Sequence, residues 1–425
     1  MPALFRTEHP FDTDVDISSV AFWSQPFEER DRAFARLRAE SPVSWHPPLE
    51  TPGLPRRYRE AGFWAITRAA DIARVSRDPQ TFSSELGQVA VGPAPFRIDP
   101  KNMLVLDPPR HTMYRRLMGD AFTPRAVAAL QPRIDRMAHQ IVLRAAVHRQ
   151  FDFVPMVAAQ LPLRTIGHLI GVPPSERDRF VAAADAFVSG GPTIGGPSGA
   201  ELQQLDEMRY LGDLCAALAE LRRGHPEDDL MTRLVAVEMG GRPLTDEEIL
   251  STVMLLIVAG DDTTKQATTL ALLALHRNPE QLAWLLEDFE GRFDGAFDEL
   301  VRLSSPVLCF ARTATRDVVL GGRQITAGDK VALFYCSGNR DEALFPDPGT
   351  LDLQRAHGGS VTFGGGGVHF CLGSAVARAQ IRAILREVFA RMPDLTVGEP
   401  VYGFSEFTHT VDALPVVNVR RPSTA

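Results

Sequence analysis

From Thr245 to Asn278 apolar residues recur at three- and four-residue intervals, Val253, Leu256 and Ile257 and later Leu270, Leu273 and Ala274, the spacing of one helix face. The run has its own start and stop. "TDEE" places Glu248 three residues after Thr245 in capping-box spacing, and Asn278-Pro279 ends the pattern. The helix predicted between them has about thirty residues, longer than most helices of globular proteins. Its middle departs from the pattern. There "AGDDTT" at 259 to 264 sets a glycine, two acids and two threonines, all poor helix formers, between apolar turns. A polar face reaching solvent, or a tolerated kink, is one reading. The other starts from burial, because an acid and an alcohol enclosed by apolar turns must find partners or water. Asp262 beside Thr263 then reads as a proton relay.

A second stretch, "FGGGGVHFCLG" at 363 to 373, gives up chain entropy on four consecutive glycines just before Cys371. After it Ile381, Ile384, Leu385 and Phe389 carry an apolar stripe that Pro393 ends, so Cys371 sits where a loop enters a helix. Free N–H groups and the helix dipole favour a negative sulfur there. Three readings stand side by side: a nucleophile with His369 as a nearby base, a metal ligand, or a core cysteine in a glycine-rich turn. A ligand to a large flat cofactor wants glycines, so that the backbone lies close to the cofactor face and directs N–H groups at the sulfur. The glycine run favours the ligand. Cys215, Cys309 and Cys336 show neither CxxC pairing nor the density of a disulfide scaffold, and read as free thiols in the core.

The class is mainly α with a small β-sheet region. The first hundred residues hold extended segments at "PVSWHP" and "GFWAIT" and a short helix over 71–76, a small sheet at the edge of something helical. From Pro124 to Leu275 the spacing is predominantly helical, interrupted by "SGGPTIGGPSG" at 189 to 199, a loop between two helices. "DELVRL" puts Glu299 and Arg302 one helical turn apart, where they can pair. The following segment alternates and turns at Gly321-Gly322 and Ala327-Gly328, the pattern of short antiparallel strands. With 425 residues, 44% hydrophobic and 23% charged, the chain has the material for an ample core. A net charge of -8 argues against a nucleic-acid surface. The longest apolar stretch, "VMLLIVA" at 253 to 259, is too short to cross a bilayer. No basic start precedes a long apolar run, so a cytoplasmic location is expected.

Four of these features, in order along the chain, resemble the cytochrome P450 family. "DPPRHTMYRR" at 107 to 116 is similar to the helix that reaches the haem edge, and "AGDDTT" to the oxygen-activating helix. "ELVR" is similar to the Glu-x-x-Arg pair, and "FGGGGVHFCLG" to the haem-cysteine loop. The resemblance covers essentially the whole chain. It implies a single domain over 1–425 with a long central helix over the haem, made of a β-rich edge region (1–100), a helical region (101–300), and a last region (301–425). That last region holds the Glu-x-x-Arg pair, minor sheets and the cysteine loop. It implies haem b as cofactor, with Cys371 as the axial thiolate that pushes electron density to iron. Phe363, Gly364 and Gly373 belong to the loop around that ligand. His111, Arg115, Arg312 and His369 stand at positions that match partners of the haem propionates. Asp262 and Thr263 match the acid–alcohol pair that delivers protons, while Ala259 and Gly260 match positions that leave room for oxygen. Glu299 and Arg302 would join Arg355 of "LDLQR" in a structural charge cluster. One departure is visible: seven residues lie between Phe363 and Cys371, one more than the commonest spacing, which leaves open which glycine takes which turn conformation. Bacterial subgroups that oxidise steroids or branched lipids share the longer loop.

The activity so implied is a monooxygenase that inserts one oxygen atom from O2 into a C–H bond of a small apolar substrate. Its pocket would be lined by 84–103, 189–199, the helix from Leu256 to Thr263, "PVLCF" at 306–310 and "SEFTHT" at 405–410. Leu256, Val307, Leu308, Phe310 and Phe407 would supply apolar wall, with Thr408 or His409 fixing orientation, and core packing is the plain alternative for each. No flavin or nicotinamide fingerprint and no iron–sulfur pattern is present, so electrons come from an external ferredoxin and its reductase. Arg110, Arg116, Arg378 and Arg382 would offer an acidic ferredoxin a basic face. A monomer without membrane or nucleic-acid partners is expected. Two other readings remain: a haem-thiolate protein that does not insert oxygen (peroxide-driven, a nitric oxide reductase or gas-binding), and a haem-free helical binding module.

Overall fold

The computed structural model describes residues 9, 13–50, 61–87, 89–92, 101–189, 199–356 and 358–419. Its helices begin with α1 (Val20–Trp23), α2 (Phe27–Glu40), α3 (Ala69–Ser76), α4 (Arg110–Gly119) and α5 (Pro124–Ala145). The middle of the chain adds α6 (Gln160–Leu169), α7 (Arg177–Ser189), α8 (Gly199–Gly224), α9 (Leu230–Ala236) and α10 (Asp246–Arg277). Then come α11 (Pro279–Glu287), α12 (Phe289–Ser304), α13 (Tyr335–Gly338) and α14 (Ser374–Arg391). The strands are short: β1 (Val43–His46), β2 (Phe63–Ile66), β3 (Phe82–Ser83), β4 (Gln150–Asp152), β5 (Glu238–Met239), β6 (Arg242–Pro243) and β7 (Cys309–Ala314). After them run β8 (Val318–Leu320), β9 (Arg323–Ile325), β10 (Lys330–Phe334), β11 (Leu395–Val397), β12 (Val401–Tyr402), β13 (Val411–Ala413) and β14 (Pro415–Asn418). The mainly helical class expected from sequence is the class observed.

The long helix is α10, 32 residues as one piece. The Thr245 hydroxyl accepts from the Glu248 N–H at 3.3 Å and the Glu248 carboxylate accepts from the Thr245 N–H at 2.8 Å, so the capping box is made in full. The Arg242 guanidinium grips the same carboxylate and pulls it down to about 2. The N-terminal half of α10 buries Ile249, Val253 and Ile257 in a cluster with residues of α6 to α9. The C-terminal half buries Ala267 to Leu275 in a second cluster with α5, α12 and α14. Between the two clusters Val258 is 43% exposed and Ala259 is exposed too, in the middle of an otherwise enclosed helix.

The main sheet has the order β1-β2-β10-β7-β3. β1 and β2 pair antiparallel as neighbours in sequence, but β10 lies parallel to β2 and antiparallel to β7. The segment 308–335, expected to form short antiparallel strands, does so: β7 pairs antiparallel with β10, and β8 and β9 form a hairpin turned by Gly321 and Gly322 at positive φ. Two of the short strands thereby tie the last third of the chain to the first hundred residues. α7 and α8 flank the glycine-rich loop, whose residues 190–198 lie outside the described residues, as do 93–100 of the expected pocket wall. Cys215, Cys309 and Cys336 are buried free thiols, as expected.

Candidate active site

The cysteine loop is held at its neck by two backbone bonds, Gly364 N–H to the Val361 carbonyl at 2.9 Å and Cys371 N–H to the Phe363 carbonyl at 3.0 Å. The Phe363 ring stacks on Phe297 of α12 with centroids 6.2 Å apart, which anchors the loop on the helical core. All four glycines take positive φ: Gly364 102°, Gly365 69°, Gly366 96° and Gly367 77°. A Cβ on Gly367 would stand 2.1 Å from the Ser76 carbonyl oxygen, and one on Gly365 3.1 Å from the Ser76 hydroxyl. The run therefore serves left-handed backbone and close approach to the last turn of α3. A Cβ on Gly364 would meet only the His369 carbonyl oxygen, at 3.6 Å, and one on Gly373 nothing within 4 Å, so these two glycines leave open space beside the loop. N–H groups aimed at the sulfur come from Gly373 and Ser374, where α14 begins.

Cys371 is exposed, yet burial pushes its thiol upward, opposed by those two N–H groups and by Arg115. The sulfur is thus reachable although protein surrounds it. Cation-capable side chains gather beside it from separate elements: His111 and Arg115 from α4, Arg312 from β7 and His369 from the loop. The rings of His111 and His369 are 4.1 Å apart. Burial, with Arg115 and Arg312 nearby, pushes His111 down to about 4, and burial with Arg312, His111 and Arg115 pushes His369 down to about 2. His369 reaches Ser84 at 3.2 Å, but both ring nitrogens of His111 are buried without a partner among the described residues. Arg115 and Arg312 have no acidic partner within salt-bridge distance there, and burial lowers both. Orphaned ring nitrogens and uncompensated guanidinium groups gathered beside one cysteine are what a ligand with carboxylates would satisfy.

On α10 the Thr263 hydroxyl donates to the Ala259 carbonyl at 2.8 Å. Asp262 accepts from Gln266 at 3.1 Å and lies 3.3 Å from Lys265 Nζ. The acid and the alcohol are thus each tied to their own helix rather than to one another. Gly260 does not open space for a small molecule as expected: a Cβ there would meet Ile166 Cδ1 at 2.7 Å, so this glycine lets α10 and α6 approach. Ala259 carries the exposed face together with Val258. The residue that sequence reasoning passed over is Asp261. It is fully buried, both its carboxylate oxygens lack a hydrogen-bond partner among the described residues, and burial pushes it up to about 7 although Lys265 stands 3.8 Å away. Its signal was the doubled acid three and four residues before a lysine.

Glu299 and Arg302 form a bidentate pair, both bonds 2.7 Å, with each side chain 2% exposed. Arg355 adds a third contact to Glu299 at 3.1 Å, so the expected charge cluster of all three residues is present. Arg302 also donates to the carbonyls of Asn339 at 2.7 Å and Pro348 at 2.8 Å, which pins the chain ahead of the cysteine loop to α12.

Comparison with known proteins gives the family of the chain. The family model described as "Cytochrome P450" matches residues 216–291 and 293–392. A methyl-branched lipid omega-hydroxylase of Mycobacterium tuberculosis is 39% identical over 95% of this chain and 94% of its own. The chain belongs to the cytochrome P450 family. A steroid C26-monooxygenase of Mycolicibacterium smegmatis is 34% identical over 92% of this chain and 90% of its own. Cytochrome P450 CYP268A2 of Mycobacterium marinum, solved in complex with pseudoionone, superposes with a TM-score of 0.89 at 43% identity, covering 96% of this chain and 99% of that one. The protein is a P450 monooxygenase with haem b as its cofactor, and the haem-free reading falls. The residues present fit that group: a reachable sulfur backed by N–H donors, four cation-capable partners for two propionates, and an exposed small residue at the centre of α10.

Around this P450 site the residues expected to line a substrate pocket fall into two groups, partly exposed and buried. Phe310 meets Phe407 edge to face at 5.1 Å, and Val307 bridges to Thr408, so the two distant segments do come together. Val307, Phe310, Phe407 and Leu256 keep partly exposed faces. Leu308 does not: it is fully buried in a cluster with Phe22, Trp23 and Phe34. His409 is likewise structural, stacked on Phe27 at 4.4 Å and bonded through Nδ1 to the Ser304 carbonyl at 2.8 Å. Thr408 is buried, its hydroxyl 2.9 Å from that of Thr410. Of the arginines expected to form a basic face, Arg110 pairs with Glu85 at 2.9 Å, Arg378 with Asp298 at 2.6 Å and Arg382 with Glu290 at 2.5 Å. Arg116 alone of the four is exposed without an acidic partner among the described residues. No helix among the described residues is long and apolar enough to cross a membrane.

Proposed function

We propose that Cys371 is the thiolate ligand of the haem, that His111, Arg115, Arg312 and His369 hold its propionates, and that the enzyme hydroxylates a branched lipid or steroid. The observation that carries the assignment is the pair of orphaned His111 nitrogens and the two acid-free guanidinium groups gathered beside the one reachable cysteine. Bound haem supplies the iron at which O2 and two electrons are used, so that one oxygen atom enters a C–H bond and the other leaves in water. Two protons are consumed for each turnover, and this chain must deliver them. Asp262, 21% exposed and held by Lys265 and Gln266, is the group placed to pass protons inward. Thr263, whose hydrogen is committed to the Ala259 carbonyl, keeps its oxygen lone pairs free to accept on the exposed side of the helix.

Val307, Phe310 and Phe407 supply apolar surface for the substrate, and the class follows the names of the relatives at 39% and 34% identity. Electrons would come from a ferredoxin and its reductase, and the enzyme would act as a monomer in the cytoplasm. The carbon monoxide difference spectrum of the reduced protein is the test. Wild type gives the strongly red-shifted Soret band of thiolate ligation, and Cys371→Ser loses it. A variant that kept the band and its turnover would sink the assignment. Substrate class is checked by spin-state shifts with methyl-branched fatty acids and steroids, and turnover with a ferredoxin system against peroxide alone checks the electron source.

A further inference from the structure

Away from the haem site α5, α6 and α7 enclose a hollow of about 220 Å³ whose wall contains five arginines: Arg133, Arg136 and Arg144 from α5, Arg164 from α6 and Arg177 from α7. The chain as a whole carries -8, so a convergence of five positive groups is a local exception. No carboxylate lines the hollow. Among the described residues the single acidic contact to any of the five is Asp178, which meets Arg164 at 2.9 Å from an exposed position, 86% open to solvent. Arg177 donates to the Val172 carbonyl at 3.2 Å, and Arg133 leans on the His168 ring. His168 is pushed down to about 4 by burial and by Arg133 and Arg177, so it is neutral and adds no further positive charge. Arg164 Nε is buried with no partner, and Arg136 and Arg144 have no ionic partner among the described residues.

Arginines on one exposed helix face are ordinary solvated groups. These five are not on one face: three elements separated in sequence bring them to a shared concavity, where burial and the charges of Arg177 and Arg136 already lower Arg133. Mutual repulsion of this kind is relieved by a bound anion, and the guanidinium fork matches phosphate oxygens two at a time. A singly charged carboxylate would leave most of the positive charge uncompensated. Drug-sized ligands fill about 300–1,000 Å³, so this hollow suits the size of a phosphate or diphosphate group rather than a whole nucleotide.

We propose that the hollow between α5, α6 and α7 binds a phosphate-bearing anion of two or more negative charges. The group comes either from a soluble diphosphate or from a phospholipid headgroup. Inorganic pyrophosphate is titrated calorimetrically into the haem-loaded enzyme at low salt, and vesicles of phosphatidic acid in phosphatidylcholine, whose phosphomonoester headgroup carries up to two negative charges, are tested by flotation at pH 8. The double variant R136Q/R144Q removes two charges without breaking any ion pair, so the fold is not at stake. The control R125Q/R149Q removes two exposed charges elsewhere.

Saturable one-to-one binding of pyrophosphate that weakens at least about tenfold in R136Q/R144Q and stays within about twofold in the control supports a soluble ligand. Vesicle binding lost in R136Q/R144Q alone, with no pyrophosphate binding, supports the headgroup. Absence of both kinds of binding overturns the site, and equal weakening in the two double variants overturns it as diffuse charge.

Discussion

Two buried charge clusters in this P450 look alike as sequence and behave in opposite ways. In the Glu299–Arg302–Arg355 cluster every charge is satisfied. Burial alone would push Glu299 up, but the hydrogen bonds and charge of Arg302, with Arg355 and the Asp352 N–H, leave it below its usual value. In the α10 cluster, Lys265 lies 3.3 Å from Asp262, 3.8 Å from Asp261 and 4.0 Å from Asp185, a loose arrangement in which one lysine faces three acids. Burial opposes the charge of Lys265 but the three acids raise it overall, while Asp261 rises to about 7. A complete network immobilises chain, and an incomplete one leaves a proton with more than one place to be.

The largest effect is expected where the network is complete. Arg302→Leu leaves Glu299 buried without its bidentate partner and frees the carbonyls of Asn339 and Pro348, at a cost of about 3–5 kcal/mol. Urea unfolding and haem-loaded yield check it, and a variant of wild-type stability would mean that the cluster does not lock the loop. In the incomplete network the effect falls on rate. Asp262→Asn lowers hydroxylation about a hundredfold, on the order of 3 kcal/mol in the barrier, with the fold intact. Thr263→Ala retains haem and substrate binding yet diverts electrons to hydrogen peroxide. Product formed per electron pair is the measurement, and unchanged coupling would remove both residues from proton delivery.

The contrast also explains what was legible in advance. α10 was readable because its signals are local: a capping box at Thr245, a three-four apolar spacing and an Asn-Pro stop all act within a few residues. The Glu299–Arg302 pair was readable for the same reason, one helical turn. What was hidden depends on neighbours distant in sequence. The glycine run has its conformation because Ser76 of α3 presses against it, and Gly260 is bare because Ile166 fills the place of its side chain. Leu308 and His409 had the right segment but face away from the pocket, because packing against Phe34 and Phe27 is a property of α2 and not of their own strands. Asp261 was invisible because periodicity marks faces without saying which of two adjacent acids is enclosed.

Asp261 gives a smaller effect with a definite sign. Its folded value, about 7, is above the ordinary 3.8 of an aspartate, so the folded state holds this proton more tightly. The associated stability is complete below about pH 4 and is lost as pH rises through 7. Asp185, Asp262 and Lys265 are the charged groups facing it and are shared by the variant. Asp261→Asn should therefore match wild type below about pH 4, and its advantage should grow by on the order of 2 kcal/mol between pH 5 and pH 8. Urea midpoints at the two pH values decide it. An advantage for the variant that is equal at both pH values would show that Asp261 is not the titrating group.

The smallest effects separate paired from unpaired charge on α4. Arg110 shares its charge with Glu85, and both side chains are about half exposed, so Arg110→Gln should change stability by less than about 1 kcal/mol. The pairing also leaves Arg110 little positive field to offer an acidic protein. Arg116 is exposed and has no such partner among the described residues. Arg116→Gln should leave stability unchanged while raising the KM for a ferredoxin about threefold at low salt, an effect that shrinks as salt is added. If the two substitutions raise KM equally, ion pairing does not mask charge on this face, and all four arginines expected from the sequence would return as candidates for docking.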